Sequence, residues 1–297
     1  MRRYYKETLG SRLFDVFNVA LMFLFMLTII FPFWNQLCIS FSDVSTNPVS
    51  NITLLPLGFN TESYQKVFSD ARILRVSAVS FARVIVGTVG TLLCTGLLAY
   101  ITTIEWFSGR KLLRRGFLFT MYFSAGLIPT YLAYISIGLY NNFWVYIIPG
   151  LFSAYYMLII SSYIANLPTA LFEAARIDGA SELKIYFRVV LPISIPVFAA
   201  IAVYCAVDQW NSWFDTTIYA PSGQWDTLQI YLRRVLLEIE ALSMIEDSSK
   251  ALSKFKTLTP QSIRAATTII VTVPIVCVYP FLQKYFLTGI TIGAVKG

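Results

Sequence analysis

GFLFTMYFSAGLIPTYLAYISIGLYNNFWVYIIPGLFSAYYMLIISSYIANLPTALF, residues 116–172, runs for 57 positions without an aspartate, glutamate, lysine or arginine. A helix crosses the hydrocarbon core of a bilayer with about 20 predominantly apolar residues, so this run is too long for one crossing and must turn back once. The turn belongs at Gly138-Leu139-Tyr140-Asn141-Asn142, where a glycine and paired asparagines favour a reversal. Four more uncharged stretches lie outside it: Val16 to Ser42, Val84 to Ile104, Val189 to Val207 and Ala265 to Gln283. The expected fold is therefore all-α, a polytopic membrane protein of six transmembrane helices, with spans at about 14–41, 80–104, 116–138, 143–166, 190–215 and 264–286.

Composition agrees with this. The chain has 297 residues, is 57% hydrophobic and only 13% charged, and has a mean hydropathy of +0.65, where a soluble domain carries about a quarter charged residues. The first apolar stretch, 27 residues without a charge, exceeds the core of a signal peptide and reads as a retained span. The net charge of +7 does not form a basic stripe with interleaved aromatics, which excludes a nucleic-acid partner, and reads instead as an orientation signal. Segments 1–12, 105–115, 173–188 and 284–297 hold 13 lysines and arginines in 53 positions, whereas 43–83, 139–143 and 208–264 hold 10 in 103. The denser set faces the cytoplasm, with both termini on that side.

Cys38, Cys94, Cys205 and Cys277 lie far apart with no C-x-x-C spacing, and the chain has no histidine, so no metal site and no catalytic residue is expected. The spans carry no charge at mid-membrane depth to bind a coupling ion, which argues against a secondary transporter. Arg83 sits at the edge of the second span, and Asp208 and Asp215 at the outer end of the fifth.

Two outer loops carry helical patterns. Tyr64, Val67 and Phe68 share a face in a short segment of the first, and Leu228, Tyr231, Leu232, Val235, Leu236 and Ile239 share one in the second, ahead of a polar tract from Glu246 to Lys256.

The functional signal lies between the fourth and fifth spans, in residues 167–192, LPTALFEAARIDGASELKIYFRVVLP. It predicts two short helices around a glycine turn: Pro168 suits a first helical turn, Gly179 the left-handed residue that ends the helix, and Ser181 the cap of the next. Leu171, Ala174, Ala175 and Asp178 fall on one side of the first helix, flanked by Glu173 and Arg176. The alanines are small enough to let another protein surface come close.

Glu173-Ala174-Ala175, three residues, Gly179-Ala180, then Leu191-Pro192 resembles the coupling-loop signature, the EAA motif, of bacterial ABC importer permeases. The fuller string, with Phe187-Arg188-Val189-Val190 before Leu191-Pro192, is similar to the carbohydrate-uptake branch of that family, of the type of the maltose permease's smaller membrane subunit. The stretch Asp208 to Asp215, DQWNSWFD, and the end, Pro280 to Gly297, agree with that branch. Within it, Trp225 to Gln229 and Leu232-Arg233-Arg234 look more like oligosaccharide and polysaccharide systems than the maltose subunit.

The resemblance implies a permease subunit of an ATP-driven importer in the cytoplasmic membrane of a bacterium, forming half of the path for an oligosaccharide or polysaccharide fragment. A permease for a non-sugar solute is the alternative within the family. It implies a second related permease, two ATP-binding subunits and an extracytoplasmic sugar-binding protein as partners. No GxxxxGKS/T loop occurs in this chain, so ATP and Mg would be bound by the partner ATPase and no cofactor by this chain. The elbow at 168–191 would dock in a cleft of that ATPase through Glu173, Ala174, Ala175, Arg176, Asp178, Gly179 and Ala180. Lys296 and Gly297 of the tail would either touch it or end the chain frayed. For the sugar, Trp210, Asn211, Trp213 and Asp215 combine aromatic faces with polar groups, as a pyranose ring requires. The same residues also fit an interfacial aromatic belt, and both readings stand.

Overall fold

The computed structural model describes residues 9–243, 259 and 261–277. In chain order the helices are α1 (Leu9–Ser40), α2 (Glu62–Ser69), α3 (Arg72–Thr103), α4 (Arg110–Tyr122), α5 (Leu127–Ser136), α6 (Ala154–Ala165), α7 (Thr169–Ile177), α8 (Glu182–Ile185), α9 (Leu191–Ile193), α10 (Ile195–Asn211), α11 (Phe214–Tyr219), α12 (Leu228–Ser243) and α13 (Gln261–Cys277). No β-strand occurs among the described residues. Helix is what an uncharged chain must form in lipid, because only there does each segment satisfy its own backbone N–H and C=O groups.

The chain divides into two compact units, residues 1–70 with 235–272, and residues 71–234 with 273–297. In the first, α1 exposes apolar side chains over nearly its whole length, among them Phe14, Phe17, Leu24 and Phe31, and becomes buried only at Cys38-Ile39-Ser40. At 32 residues it is ~48 Å long, more than a bilayer core requires. Its last turns are tied to the loop that follows: Asn35 Nδ2 donates to the Ile52 carbonyl at 2.7 Å, and Trp34 Nε1 to that of Leu54 at 2.9 Å. Cys38, Ile39, Ile52 and Ala265 form the local core. Val67 of α2 is buried and Phe68 exposed, so the expected amphipathic face is only partly used.

The second unit is built on α3, against which α6 and α10 pack. Close approach is possible because α3 presents glycines. A Cβ at Gly87 would lie 2.7 Å from the Gln209 side chain, and one at Gly96 would lie 2.5 Å from the Tyr186 hydroxyl and 2.6 Å from the Phe198 ring. The core combines Leu98, Ala99 and Tyr100 of α3, Met157, Ile160 and Ile164 of α6, Ile185, Tyr186 and Val190 of the elbow, and Val197, Phe198 and Ile201 of α10.

Among the described residues, only α1 and α3 are unbroken helices long and apolar enough to cross a membrane. The segment expected as one helix over 116–138 is two: α4 begins earlier, at Arg110, and ends at Tyr122, and α5 begins at Leu127. The reason lies in Gly126, at φ +87°, and in Pro129, which has no N–H to give to the turn before it. The segment expected over 143–166 starts with two 3₁₀ turns, Phe143–Tyr146 and Ile148–Gly150, set at 44° to α6. Thr91 and Thr95 of α3 receive the carbonyls freed by this break, donating to Gly150 and Leu151 at 2.8 and 2.9 Å, and Thr95 accepts from the Ser153 N–H at 3.1 Å. Such side-chain substitutes are what a broken helix needs in an apolar medium.

The segment expected over 190–215 is helical only to Asn211, and α10 is bent by 82° from the 182–193 segment. α3 begins at Arg72, eight residues earlier than expected, and α13 is described to Cys277, with 278–286 outside the described residues. The turn expected at 138–142 is present, with Gly138 at φ +74° and Asn141 at φ +54°. The polar tract Glu246 to Lys256 lies outside the described residues.

Candidate functional site

At one end of the second unit, α7 and α8 make the two-helix elbow. The helix ends in a Schellman turn: the Ala180 N–H donates to the Ala175 carbonyl and the Gly179 N–H to that of Arg176, both at 3.0 Å. Gly179 holds φ +72°, a region costly for any residue with a Cβ. Pro168 is the N-cap of α7 rather than part of its first turn, because its ψ of 126° is extended. Ser181 stands at the cap position of α8, but its side chain makes no capping bond.

The elbow faces outward. Glu173, Ala174, Arg176, Asp178 and Gly179 are exposed, and Ile177 is 85% exposed. Ala175 and Ala180, expected on the outward side, are half-buried and pack with Phe172 against the core. The exposed apolar surface comes instead from Leu171, Ile177 and Leu183.

What holds the elbow is a group the motif does not contain. Glu182 Oε1 accepts from Arg176 Nε at 2.9 Å, and Glu182 Oε2 accepts from the Tyr100 hydroxyl at the end of α3. Burial alone would raise the Glu182 carboxyl; the hydrogen bonds from Arg176 and Tyr100 outweigh it and hold the pKa below the usual carboxylate range. The same bond to Glu182 raises the Arg176 guanidinium above its ordinary value. Behind the clamp, Tyr186 is fully buried at the start of a π-helical turn, Tyr186–Val190, that leads into the bend before α10. Single π turns of this kind frequently occur at functional sites.

At the far end of α10 lies a cavity of about 330 Å³ lined by Arg83, Tyr134, Val145, Tyr146, Pro149, Gly150, Asp208, Gln209, Ser212, Asp215 and Tyr219. Arg83 is not at the edge of its helix; it lies in the second quarter of α3, is 3% exposed and is ion-paired with Asp215. Its Nε donates to Gln209 Oε1 at 2.8 Å, Nη1 to Asp215 Oδ1 at 3.1 Å and to the Ser212 carbonyl at 3.4 Å, and its charge sits 4.5 Å from the centre of the Tyr146 ring. A buried guanidinium is tolerated because it is paired and hydrogen-bonded.

Of the four residues expected at the sugar, only Asp215 lines this cavity. Trp210 is buried against Phe81, edge to face at 5.3 Å. Trp213 lies under the Arg233 guanidinium, 3.7 Å from its ring centre, and Asn211 is exposed and accepts from Gln229 at 3.4 Å. The sequence pattern placed all four together because they are neighbours in the chain. An α-helical end sends neighbours to different sides, and the lining comes from residues far apart in sequence. Lys296 and Gly297 lie outside the described residues.

Apolar helices around a polar cavity at one end and an exposed elbow at the other are the build of a transport permease. No family model matches the chain. It is 32% identical over 97% of its length to the polygalacturonan/rhamnogalacturonan transport system permease protein YtcP of Bacillus subtilis, covering 99% of that protein. It is 36% identical over 98% of its length to protein LplC of the same organism, covering 97% of it. A chain in the crystal structure of a bacterial ABC transporter involved in the import of the acidic polysaccharide alginate has the same fold, with a TM-score of 0.84 at 27% identity over 95% of this chain and 99% of that one. The chain belongs to the sugar ABC-transporter permease family. It is an integral membrane protein and a transport subunit rather than an enzyme.

Proposed function

We propose that this chain forms half of the translocation path for an oligosaccharide or polysaccharide fragment and couples it to a separate ATPase dimer through the elbow at 168–191. Six spans cross a bacterial cytoplasmic membrane, with both termini and the elbow on the cytoplasmic side. The other half of the path is a related permease, the sugar is delivered by an extracytoplasmic binding protein, and ATP and Mg are bound by the two ATPase subunits. The tail, with Lys296 and Gly297, ends on the same side as the elbow.

The observation that carries the coupling role is the construction of the elbow. Its outer face, Leu171, Ala174, Ile177 and Asp178, is bare, while its inner face is pinned to α3 by Glu182 on Tyr100 and to α10 through the turn at 186–190. A partner that gripped the bare face and moved would shift both helices together. ATP does this by binding the closed ATPase more tightly than the open one, and the elbow passes that preference to the path. The cavity at the other end, with Tyr134 beside Asp208, Gln209 and Ser212, offers an aromatic side chain and polar partners for the hydroxyls of a sugar.

The test is ATP hydrolysis and sugar uptake by the assembled transporter in lipid vesicles, wild type against Gly179→Trp. A Cβ at Gly179 meets nothing within 4 Å, so the added bulk points away from the fold, but φ +72° strains any side chain there, and Gly179→Ala, which carries that strain without the bulk, is the control. The expected result is uptake lost in Gly179→Trp and largely kept in Gly179→Ala. Unchanged uptake would overturn the coupling role.

A further inference from the structure

The path reading leaves open whether the sugar is neutral or acidic, and the charges around the cavity bear on this. Among the described residues, Arg83 is the only cation in the lining, and Asp208 and Asp215 are the anions. The guanidinium is 3% exposed, four of its five N–H groups are taken by Gln209, Asp215 and the Ser212 carbonyl, and its charge is cancelled by Asp215. It has almost nothing to offer a carboxylate on a ligand.

Asp208 is in the opposite condition. It is exposed, it accepts one bond from the Tyr156 hydroxyl at 3.1 Å, and it has no ion pair among the described residues. An ionised carboxylate on the lipid face of an apolar helix is expensive, so this face of α10 fronts water or a polar ligand. Its surroundings agree: Tyr155 of α6 is 58% exposed and Tyr204, one turn before Asp208, is 54% exposed. A carboxylate is an acceptor only, which suits sugar hydroxyls as donors and repels an anionic sugar.

We propose that Asp208 is a specificity-determining residue of the path, and that this chain passes neutral oligosaccharides in preference to uronides. The proposal rests on the cavity being part of the sugar path. Asp208 accepts hydrogen bonds from ring hydroxyls, the exposed tyrosines cover apolar ring faces, and the paired Arg83 leaves the site one negative charge in excess.

The test uses the assembled transporter in lipid nanodiscs without the binding protein, with binding followed by saturation-transfer NMR. The probes are a neutral galactan tetrasaccharide and the galacturonan tetrasaccharide of the same length. The neutral sugar is expected to bind roughly tenfold more tightly, a gap that one charge at contact distance can produce. Asp208→Asn closes that gap by raising uronide affinity, and Asp208→Glu keeps it. Equal binding of both sugars to wild type, unchanged in Asp208→Asn, overturns the charge selection and leaves the sugar path standing. A transporter that fails to assemble in Asp208→Asn but assembles in Asp208→Glu with no sugar preference also overturns it, placing the carboxylate in a subunit contact. Saturation transfer to neither sugar in wild type removes the sugar path itself, and the proposal with it.

Discussion

Removing one half of the Arg83–Asp215 pair should be among the most damaging conservative changes in the chain. Asp215→Asn takes away the countercharge of a guanidinium that is 3% exposed and leaves it with Gln209, the Ser212 carbonyl and the Tyr146 ring. Breaking a buried pair from one side costs about 3–5 kcal/mol, and since the Asp215 side chain keeps 22% of its surface, the lower end applies. At roughly 2–4 °C per kcal/mol, a loss of about 3 kcal/mol lowers the unfolding midpoint by about 6–12 °C. The assay is thermal unfolding of the purified transporter, followed by intrinsic fluorescence, in a cycle of Arg83→Gln, Asp215→Asn and the double variant. The double variant should be no less stable than the worse single one, with a coupling of about 1–3 kcal/mol. Strictly additive losses would refute the claim that the two charges hold each other in place.

Three further variants test the same structure. Gly96→Ala places a Cβ 2.5 Å from the Tyr186 hydroxyl and 2.6 Å from Phe198, so thermal unfolding should show a loss of about 1–3 kcal/mol from overpacking. Glu182→Gln removes the charge and one of the two acceptor oxygens that hold Tyr100 and Arg176, and vesicle assays should show hydrolysis continuing while uptake per ATP falls several-fold. Because the Glu182 pKa is depressed in the folded state, its stabilisation is present above the unfolded carboxylate value and is lost only as pH falls through the lower folded one. The stability difference between wild type and Glu182→Gln, measured against pH, should therefore hold at neutral pH and vanish in acid. Gly179→Ala strains a residue at φ +72°, and should loosen the elbow, read by hydrogen exchange at Asp178 to Ala180, without changing the unfolding midpoint of the bundle.

Much of the fold was legible from absent charges, since only helices bury uncharged chain in lipid. The elbow was legible in finer detail: Gly179 has the left-handed backbone that its place after Glu173 to Asp178 suggested. The helix breaks were harder to read, because Gly126 with Pro129, and Pro149 with Gly150, interrupt the ladder without adding any polar side chain that a charge count detects. Arg83 misled for a different reason. It was placed at the edge of the span, whereas it lies inside α3, which begins at Arg72, and its charge is met by Asp215, 132 positions away. Glu182 was invisible as a clamp for the same reason: its partner Tyr100 lies 82 positions earlier. Pairings of that range leave no periodic trace. The outward face of α7 was misjudged at Ala175, where helical spacing alone does not say which side of the helix meets the core.

The central claim, that the elbow is the contact through which ATP moves the path, is tested most directly by cross-linking. A photo-reactive residue at position 177, where Ile177 is 85% exposed on the outer face of α7, is compared in intact membranes with one at position 24, where Leu24 is 64% exposed on α1. The account predicts a covalent adduct with the ATP-binding subunit from position 177 and none from position 24, with a yield that changes when ATP is bound. Absence of that adduct from position 177, in a transporter that still takes up sugar, would contradict it.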